Sequence, residues 1–282
     1  MGAVAIACSQ TTTAPGRATI APIASVAGDT PRPSRPTSAL PSSLSSSPSA
    51  VERLRVEVIG RRSHDRTAFT QGLVLAGDRL YESTGLYGQS TLREVDQHTG
   101  AVLRSTNLEP RYFGEGIAVV DDHLIQLTWH EHTALVYRLN DFGQTATFTY
   151  DTEGWGLCDD GTRLVMSDGS SLLQFRDRST FELLETVDVA SDGAPVDRLN
   201  ELECVGGDIY ANVLQTETIV RIDPTSGKVN GAIDASGLLT EDEAAVASVL
   251  NGIAYDTTTG TFLITGKFWP ALFEVRFVPD NR

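Results

Sequence analysis

The sequence predicts an all-β fold, namely a five-bladed β-propeller. Three observations predict it: five internal repeats of similar length, turn-rich hairpins inside the repeats, and the lack of any long helical pattern. Equivalent positions of successive repeats, 72, 116, 156, 201 and 252, are separated by 44, 40, 45 and 51 residues. A four-stranded blade takes roughly 40–50 residues, so each repeat has the length of one blade.

Each repeat opens with a polar residue or a tryptophan, followed by a glycine and an apolar residue. In the fourth repeat Glu201 takes the place of the glycine. A loop and a second β-rich segment follow each start. The five starts are Gln71-Gly72-Leu73-Val74, Glu115-Gly116-Ile117-Ala118, Trp155-Gly156-Leu157-Cys158, Asn200-Glu201-Leu202-Glu203 and Asn251-Gly252-Ile253-Ala254.

Two later segments have the turn residues of a hairpin tip, from Asp96 to Gly100 and from Asp223 to Gly227. We predict that each joins the two outer strands of a blade. The only helical pattern is short and lies around residues 241–250.

The last repeat has room for three strands before Arg282. The segment from Leu54 to Ile59 alternates in the manner of a strand and precedes the first repeat. We predict that it pairs with the last blade as its fourth strand and closes the ring, which protects strand edges. A solenoid, the rival architecture, would need capping repeats, and the sequence has none that we recognise.

Composition narrows the classes of function. The chain has 282 residues, a net charge of −15 and an apolar fraction of 40%, as expected of a soluble protein with a sizeable core. The acidic balance argues against binding to nucleic acid. The sequence contains no run of about 18 apolar residues, the length that would predict a membrane-spanning helix.

The first fifty residues differ from the rest. Residues 1–8 end in Cys8 and resemble the end of a bacterial lipoprotein signal, truncated at its start. Residues 9–50 are rich in Ser, Thr and Pro and predict a disordered tether, with the propeller at 51–282. We expect export, either as a lipoprotein anchored through Cys8 on the extracytoplasmic face or as a secreted protein. The alternative is that Cys8 is a chance cysteine.

Two patterns leave alternatives open. Cys158 and Cys204 are either a disulfide of an exported protein or two small buried thiols. The segment His130-Glu131-His132 has two histidines at strand spacing, but no third metal ligand is evident. We therefore interpret it as a surface loop and predict no metal site.

The repeat starts also predict the functional site. A propeller gathers the first residues of its inner strands around one mouth of the central channel, and here these residues are unusually polar and aromatic. Such a set is typical of a ligand pocket. They are Phe69, Gln71, Phe113, Glu115, Trp155, Asn200, Glu201 and Asn251. Trp129 and Lys267, which lie further along their own repeats, join this set.

Several motifs, in unbroken order from about His64 to Phe277, resemble the plant and bacterial type of glutaminyl-peptide cyclotransferase. They are Phe69-Thr70-Gln71-Gly72-Leu73, Glu82-Ser83-Thr84-Gly85-Leu86-Tyr87-Gly88, Tyr112-Phe113-Gly114-Glu115-Gly116, Gly154-Trp155-Gly156-Leu157, Ser167-Asp168-Gly169-Ser170-Ser171, Leu199-Asn200-Glu201-Leu202-Glu203, Leu250-Asn251-Gly252-Ile253-Ala254 and Thr265-Gly266-Lys267-Phe268-Trp269-Pro270.

This resemblance implies a five-bladed propeller that converts N-terminal glutaminyl residues of peptides or proteins, and glutamyl residues slowly, to pyroglutamyl. It implies no catalytic zinc and no required cofactor. Whether a structural calcium ion lies in the central channel is left open. The matching catalytic carboxylate is Glu115. The other matching pocket residues are Phe69, Gln71, Phe113, Trp129, Trp155, Asn200 and Lys267, and Leu214 stands where the family has a tryptophan. A monomer is expected.

The residues suggest a mechanism. Glu115 would move the proton from the α-amine to the departing ammonia, while Asn200, Gln71 and Lys267 would bind the amide oxygen, the oxyanion or the substrate backbone. Two other functions remain open. One is a peptide-binding propeller without activity, which Leu214 favours. The other is a calcium-dependent hydrolase of the lactonase kind, with Glu115, Asn200, Glu201 and Asn251 as ligands.

Overall fold

A computed structural model describes residues 50–281. The predicted segments 1–8 and 9–50 lie outside this range, except for Ala50. Within it the chain forms twenty-two β-strands and one helical turn, which confirms the prediction of an all-β fold. No helix in this part of the chain has the length and apolar character needed to cross a membrane.

The strands form antiparallel hairpins in chain order. Strand β1 spans Glu52–Ser63. Three four-stranded sheets follow: β2 (Thr70–Ala76), β3 (Arg79–Thr84), β4 (Thr91–Val95) and β5 (Val102–Asn107); β6 (Gly114–Val120), β7 (His123–Thr128), β8 (Thr133–Arg138) and β9 (Gln144–Thr149); and β10 (Leu157–Asp159), β11 (Leu164–Ser167), β12 (Leu172–Arg176) and β13 (Leu183–Asp188).

The remaining strands form a small pair and one large sheet. The pair is β14 (Ala190–Ser191) and β15 (Ala194–Pro195). The large sheet contains β16 (Leu199–Val205), β17 (Asp208–Val213), β18 (Thr218–Ile222) and β19 (Val229–Asp234), and, after the helix α1 (Glu241–Ala244), β20 (Leu250–Asp256), β21 (Thr261–Gly266) and β22 (Ala271–Pro279). Its strand order is β16-β17-β18-β19-β1-β22-β21-β20.

Strand β1 connects the two halves of the large sheet. It pairs antiparallel with β22 from Leu54↔Pro279 to Ser63↔Ala271 and parallel with β19 from Glu52↔Gly231 to Arg55↔Asp234. The predicted pairing of the N-terminal segment with the last strand is therefore present. The strand is longer than the predicted 54–59.

Burial explains the order of strands within a sheet. The first three strands of each four-stranded sheet are mostly buried, whereas β5, β9 and β13 are mostly exposed. The buried side chains form clusters between successive sheets. Tyr81 and Leu92 pack with Ile117 and Leu135, for example. Each such side chain gains about 1.5–3 kcal/mol from burial, so packing between sheets is the main source of stability.

Both predicted hairpin tips are confirmed, between β4 and β5 and between β18 and β19. The Asp96 carboxylate accepts the backbone N–H groups of His98 and Thr99, and Asp223 accepts those of Thr225 and Ser226. A short side chain that bonds the backbone two and three residues ahead is what stabilises a turn at these positions.

The helix is shorter than the predicted 241–250. A capping box between Thr240 and Glu243 starts it, and it ends after one turn. The backbone N–H of Ser248 donates to the carbonyl of Lys267, and the N–H of Lys267 donates to that of Val249. These bonds draw the chain into the sheet, so the helix cannot continue.

The two cysteines form a disulfide. Cys158 on β10 and Cys204 on β16 are bonded, with their Cα atoms 5.6 Å apart, inside the usual range for such a bond. Of the two alternatives left open by the sequence, the structure contains the bond, which joins the first strands of two successive sheets.

The glycine at each repeat start allows close approach of the inner strands. A Cβ atom on Gly72 would lie 2.7 Å from the backbone nitrogen of Ile117, and one on Gly116 would lie 2.6 Å from that of Leu157. Any side chain would therefore push these strands apart.

In the fourth repeat the residue in place of the glycine links strands instead. The Glu201 carboxylate accepts the N–H groups of Leu73 on β2 and Ile253 on β20, at 3.1 and 2.7 Å. The mostly buried Glu203 accepts the N–H of Tyr255 at 2.9 Å. Burial raises the pKa of both carboxyl groups, that of Glu203 to about 8.

Replacing both Cys158 and Cys204 by alanine should lower the free energy of unfolding by about 2–4 kcal/mol, because the bond closes a long loop in the unfolded chain. Urea unfolding of the full chain measures this. Reduced wild-type protein should match the double variant. A double variant as stable as the oxidised wild type would contradict the prediction.

Glu203→Gln should change how stability depends on pH. Between about pH 5 and 8 the folded protein keeps a proton on Glu203 that the unfolded chain has lost, so this group makes the fold less stable as pH rises. The variant should lack this fall in stability. The Tm of the variant minus that of wild type should therefore increase from pH 5 to pH 8. The exposed Glu182→Gln is the control. Parallel Tm profiles for Glu203→Gln and wild type would contradict the assignment.

Candidate active site

The predicted site residues lie along one edge of the sheets, at the starts of some strands and the ends of others. Gln71, Glu115 and Asn200 lie at the starts of β2, β6 and β16, and Phe69, Phe113 and Trp155 lie just before β2, β6 and β10. Trp129, Leu214 and Lys267 directly follow β7, β17 and β21. Because consecutive strands are antiparallel, the start of one and the end of the next fall at the same edge.

A cavity of about 310 Å³ at this edge brings together all nine residues predicted as catalytic or substrate-binding. Leu86 also lines it and was not predicted. The lining residues are Phe69, Gln71, Leu86, Phe113, Glu115, Trp129, Trp155, Asn200, Leu214 and Lys267.

A second cavity, of about 430 Å³, lies at the opposite ends of the first two sheets. It is lined largely by charged residues, among them Asp78, Arg79, Asp121 and Arg138. None of the predicted site residues faces it. The smaller cavity is therefore the candidate site, because acid, amide, ammonium and aromatic groups converge there.

Aromatic rings in edge-to-face contact form one wall of the cavity. The Phe113 ring lies 6.1 Å from that of Phe69, 5.4 Å from that of Trp129 and 5.3 Å from that of Tyr87, between centroids. Such contacts fix ring orientation. The wall around Phe113 is therefore a defined surface.

The acid of the cavity is Glu115, which is 4% exposed. Its Oε1 accepts a hydrogen bond from Nε2 of Gln71 at 2.9 Å. Burial raises the pKa of this carboxyl group well above its ordinary range, the positive charge of Lys267 opposes the rise, and the charges of Glu153 and Glu131 add to it. Glu115 therefore keeps a proton to higher pH than an exposed glutamate does.

Amide groups orient this acid. Nδ2 of Asn251 donates to the carbonyl of Thr70 at 3.1 Å and to Oε1 of Gln71 at 3.3 Å. That leaves Nε2 of Gln71 facing Glu115, so Gln71 acts as a fixed donor. Asn200 also lines the cavity, and its buried Oδ1 has no hydrogen-bond partner within residues 50–281.

Lys267 supplies the positive charge. It is 6% exposed, and its Nζ lies 4.8 Å from the centroid of the Phe69 ring, within reach of a cation–π interaction. Burial lowers its pKa, while Glu115 opposes the change. The cavity thus contains one acid and one base, and the pKa of each is shifted in the direction that favours its neutral form.

Residues 34–277 match the family model for glutamine cyclotransferase. The chain belongs to the glutamine cyclotransferase family. A glutaminyl-peptide cyclotransferase of Arabidopsis thaliana is 40% identical over 227 residues, which are 78% of this chain and 71% of that protein. The crystal structure of Myxococcus xanthus glutaminyl cyclase matches with a TM-score of 0.75 and 38% identity, over 82% of this chain and all of the other.

Two carboxylates of this family member border the cavity and were not predicted as site residues. Glu153 accepts hydrogen bonds from the indole N–H groups of Trp129 and Trp155. Glu131 accepts from the hydroxyl of Tyr87 at 2.8 Å and from the backbone N–H of Phe113 at 3.3 Å. Each lies two residues from a predicted tryptophan, which is the only signal in the sequence.

The segment His130-Glu131-His132 is a loop, as interpreted, and it borders the cavity. The His130 ring stacks on that of Trp129 at 3.7 Å between centroids. Nδ1 of His132 contacts the carbonyl of Thr152 at 2.6 Å. In residues 50–281, no three His, Cys, Asp or Glu side chains are grouped so as to hold a metal ion.

The four ligands of the hydrolase alternative do not line one cavity. Glu115 and Asn200 face the site, whereas Glu201 and Asn251 are absent from its lining. Both are engaged with the backbone of neighbouring strands. The structure therefore uses the two pairs differently, one for the cavity and one for the junction of the inner strands.

Gly85→Ala should damage the cavity of this family member by moving its aromatic wall. The added Cβ would lie 2.3 Å from Cε1 of Phe113, and such overpacking costs about 1–3 kcal/mol. If this cost falls on substrate binding, KM for a peptide beginning with Gln rises about tenfold. Steady-state kinetics measure it. Gln89→Ala is the control, since this residue is exposed and lies in the same loop. Equal KM values for the two variants would contradict the prediction.

Proposed function

We propose that the 310 Å³ cavity is the active site at which this chain converts an N-terminal glutaminyl residue of a peptide or protein to pyroglutamyl and releases ammonia. Membership of the family supports the reaction. The observation that carries the assignment of the site is the buried acid Glu115, which lies between aromatic walls and is oriented by Gln71.

In this reaction the neutral α-amine attacks the γ-carboxamide carbon of the same residue. The new C–N bond closes a five-membered ring, the bond to the amide nitrogen breaks, and ammonia leaves. Because the reaction is intramolecular, holding the side chain curled towards the amine removes much of the entropic barrier. The rings of Phe69, Phe113, Trp129 and Trp155 form walls suited to this task.

Glu115 carries the proton in our proposal. As a carboxylate it takes a proton from the attacking amine, and as an acid it delivers that proton to the departing ammonia. Its raised pKa favours the protonated form that the second role requires. Gln71 keeps the carboxyl group oriented through its 2.9 Å hydrogen bond.

Asn200 and Lys267 are the groups proposed to bind oxygen. An amide donor and a positive charge stabilise the negative oxygen that forms when the amine adds to the carboxamide. Leu214 supplies an apolar surface beside them. It is smaller than the tryptophan that the resemblance implies, which leaves more room on this side of the cavity.

We also propose that the sheets are five blades of a closed ring, with β1 as the fourth strand of the last blade. The cluster that contains Leu73 and Leu263 packs the first sheet against the last. Pairing of β1 with β22 supports the closure. A closed ring leaves few free strand edges.

The cellular setting is a separate proposal. We propose an exported monomer that needs no cofactor for catalysis, with a lipid anchor at Cys8 and a structural calcium in the channel as further possibilities to test. The disulfide supports export, since such bonds persist in oxidising compartments.

Glu115→Gln should lower kcat by about 10²–10⁴-fold, because the amide cannot transfer the proton. The measurement is ammonia release from a Gln-initiated dipeptide by the full chain, with circular dichroism to verify the fold. Glu109→Gln is the control, since its side chain is 64% exposed. Turnover close to wild type in folded Glu115→Gln would overturn the mechanism. An inactive, folded wild type would favour the peptide-binding alternative.

A further inference from the structure

The Glu153 carboxylate lies between two of the three tryptophans of the chain. Its Oε2 accepts the indole N–H of Trp129 at 2.7 Å and that of Trp155 at 2.9 Å. The two rings come from different sheets, since Trp129 follows β7 and Trp155 precedes β10. One oxygen atom therefore fixes two cavity walls relative to each other.

The contact extends to a third ring. Oε1 of Glu153 lies 3.4 Å from Nδ1 of His130, and the His130 ring stacks on the outer face of Trp129. Trp129 in turn meets Phe113 edge to face at 5.4 Å. Loss of the carboxylate would leave two indole N–H groups unpaired and release one side of this stack.

The backbone holds Glu153 in position. The N–H of the next residue, Gly154, donates to the carbonyl of Trp129 at 3.1 Å. The hydroxyl of Thr152, the preceding residue, accepts from Nε2 of Gln174 at 2.9 Å. The carboxylate is thus placed by the fold on both sides, independently of any bound molecule.

Glu153 also contributes charge. Its side chain is 39% exposed. Together with Glu131 it acts against ionisation of Glu115, while Lys267 acts in favour. Tyr87 and Tyr150 are the other titratable groups that interact with Glu115.

We propose that Glu153 is a positioning residue for the cyclisation, which clamps Trp129 and Trp155 into the cavity walls and adds negative charge to the rim beside Glu131. The role is indirect, because Glu153 does not line the cavity itself. The proposal rests on the proposed function, since it assigns the walls to substrate binding.

Two substitutions separate the clamp from the charge. Glu153→Gln keeps an oxygen that can accept both indole N–H groups but removes the charge. Glu153→Leu removes both. We expect KM of Glu153→Gln to stay within about twofold of wild type. Its profile of kcat/KM against pH should shift to lower pH, because loss of a nearby negative charge lowers the pKa of Glu115.

For Glu153→Leu we expect KM to rise about tenfold and the tryptophan fluorescence to change. Both indole N–H groups are partly buried, so leaving them unpaired weakens the walls; a tenfold rise in KM corresponds to about 1.4 kcal/mol. The third tryptophan, Trp269, donates to the carbonyl of Ser248 and stays as an internal reference. The matched control is Glu217→Gln and Glu217→Leu, an exposed glutamate in the loop after β17.

Equal KM values for the Gln and Leu variants of Glu153 would overturn the clamp. An unshifted pH profile for Glu153→Gln would overturn the contribution of charge. A loss in Glu153→Leu that merely follows its unfolded fraction would reduce the residue to a structural one and overturn the clamp. Fluorescence is read without turnover, so failure of the proposed reaction, shown by a folded but inactive wild type, stays distinguishable from failure of the clamp.

Discussion

Close approach of the inner strands is the constraint on which the rest of the structure depends. Side chains at Gly72 and Gly116 would meet the backbone of the next strand at 2.7 and 2.6 Å, so the strands reach this distance only because both positions lack one. The residue in front of each glycine is thereby held level with its counterpart in the next sheet. Gln71 and Glu115 meet across this junction. The packing that orders the sheets therefore also assembles the cavity.

The same packing removes water from charged groups, which opposes folding. Glu115 receives one hydrogen bond from Gln71, and Lys267 lies over an aromatic ring; both partly replace lost hydration. The pKa of each group still moves towards its neutral form. A tight ion pair between the two would lower the pKa of Glu115 and raise that of Lys267, so the carboxylate would take up a proton less readily. Stability and chemistry thus make opposite demands on the same two side chains.

The sequence predicts those parts of the site that belong to its recurring motifs. The all-β fold and the nine cavity residues were predictable because the repeat starts recur along the chain and the motifs around them resemble one family. Glu153 was not predictable, because its role arises from two indoles that different loops bring together. The disulfide stayed open because only the packing of β10 beside β16 shows that the Cα atoms of Cys158 and Cys204 are 5.6 Å apart. The helix was predicted too long because the backbone of Lys267, distant in sequence, forms hydrogen bonds with Ser248 and Val249, which the prediction had placed in the helix.

The double pairing of β1 has a consequence for the order of folding. Leu54 pairs with Pro279, 225 positions further along the chain, so the longer of the two pairings of β1 can form only after β22 is made. Contacts of such sequence separation form slowly. Until then the edge of β1 that faces β22 is free, and free strand edges are sites of aggregation in unfinished chains. We expect translation to end before the fold is secured, and chaperones that shield strand edges to matter most at that moment.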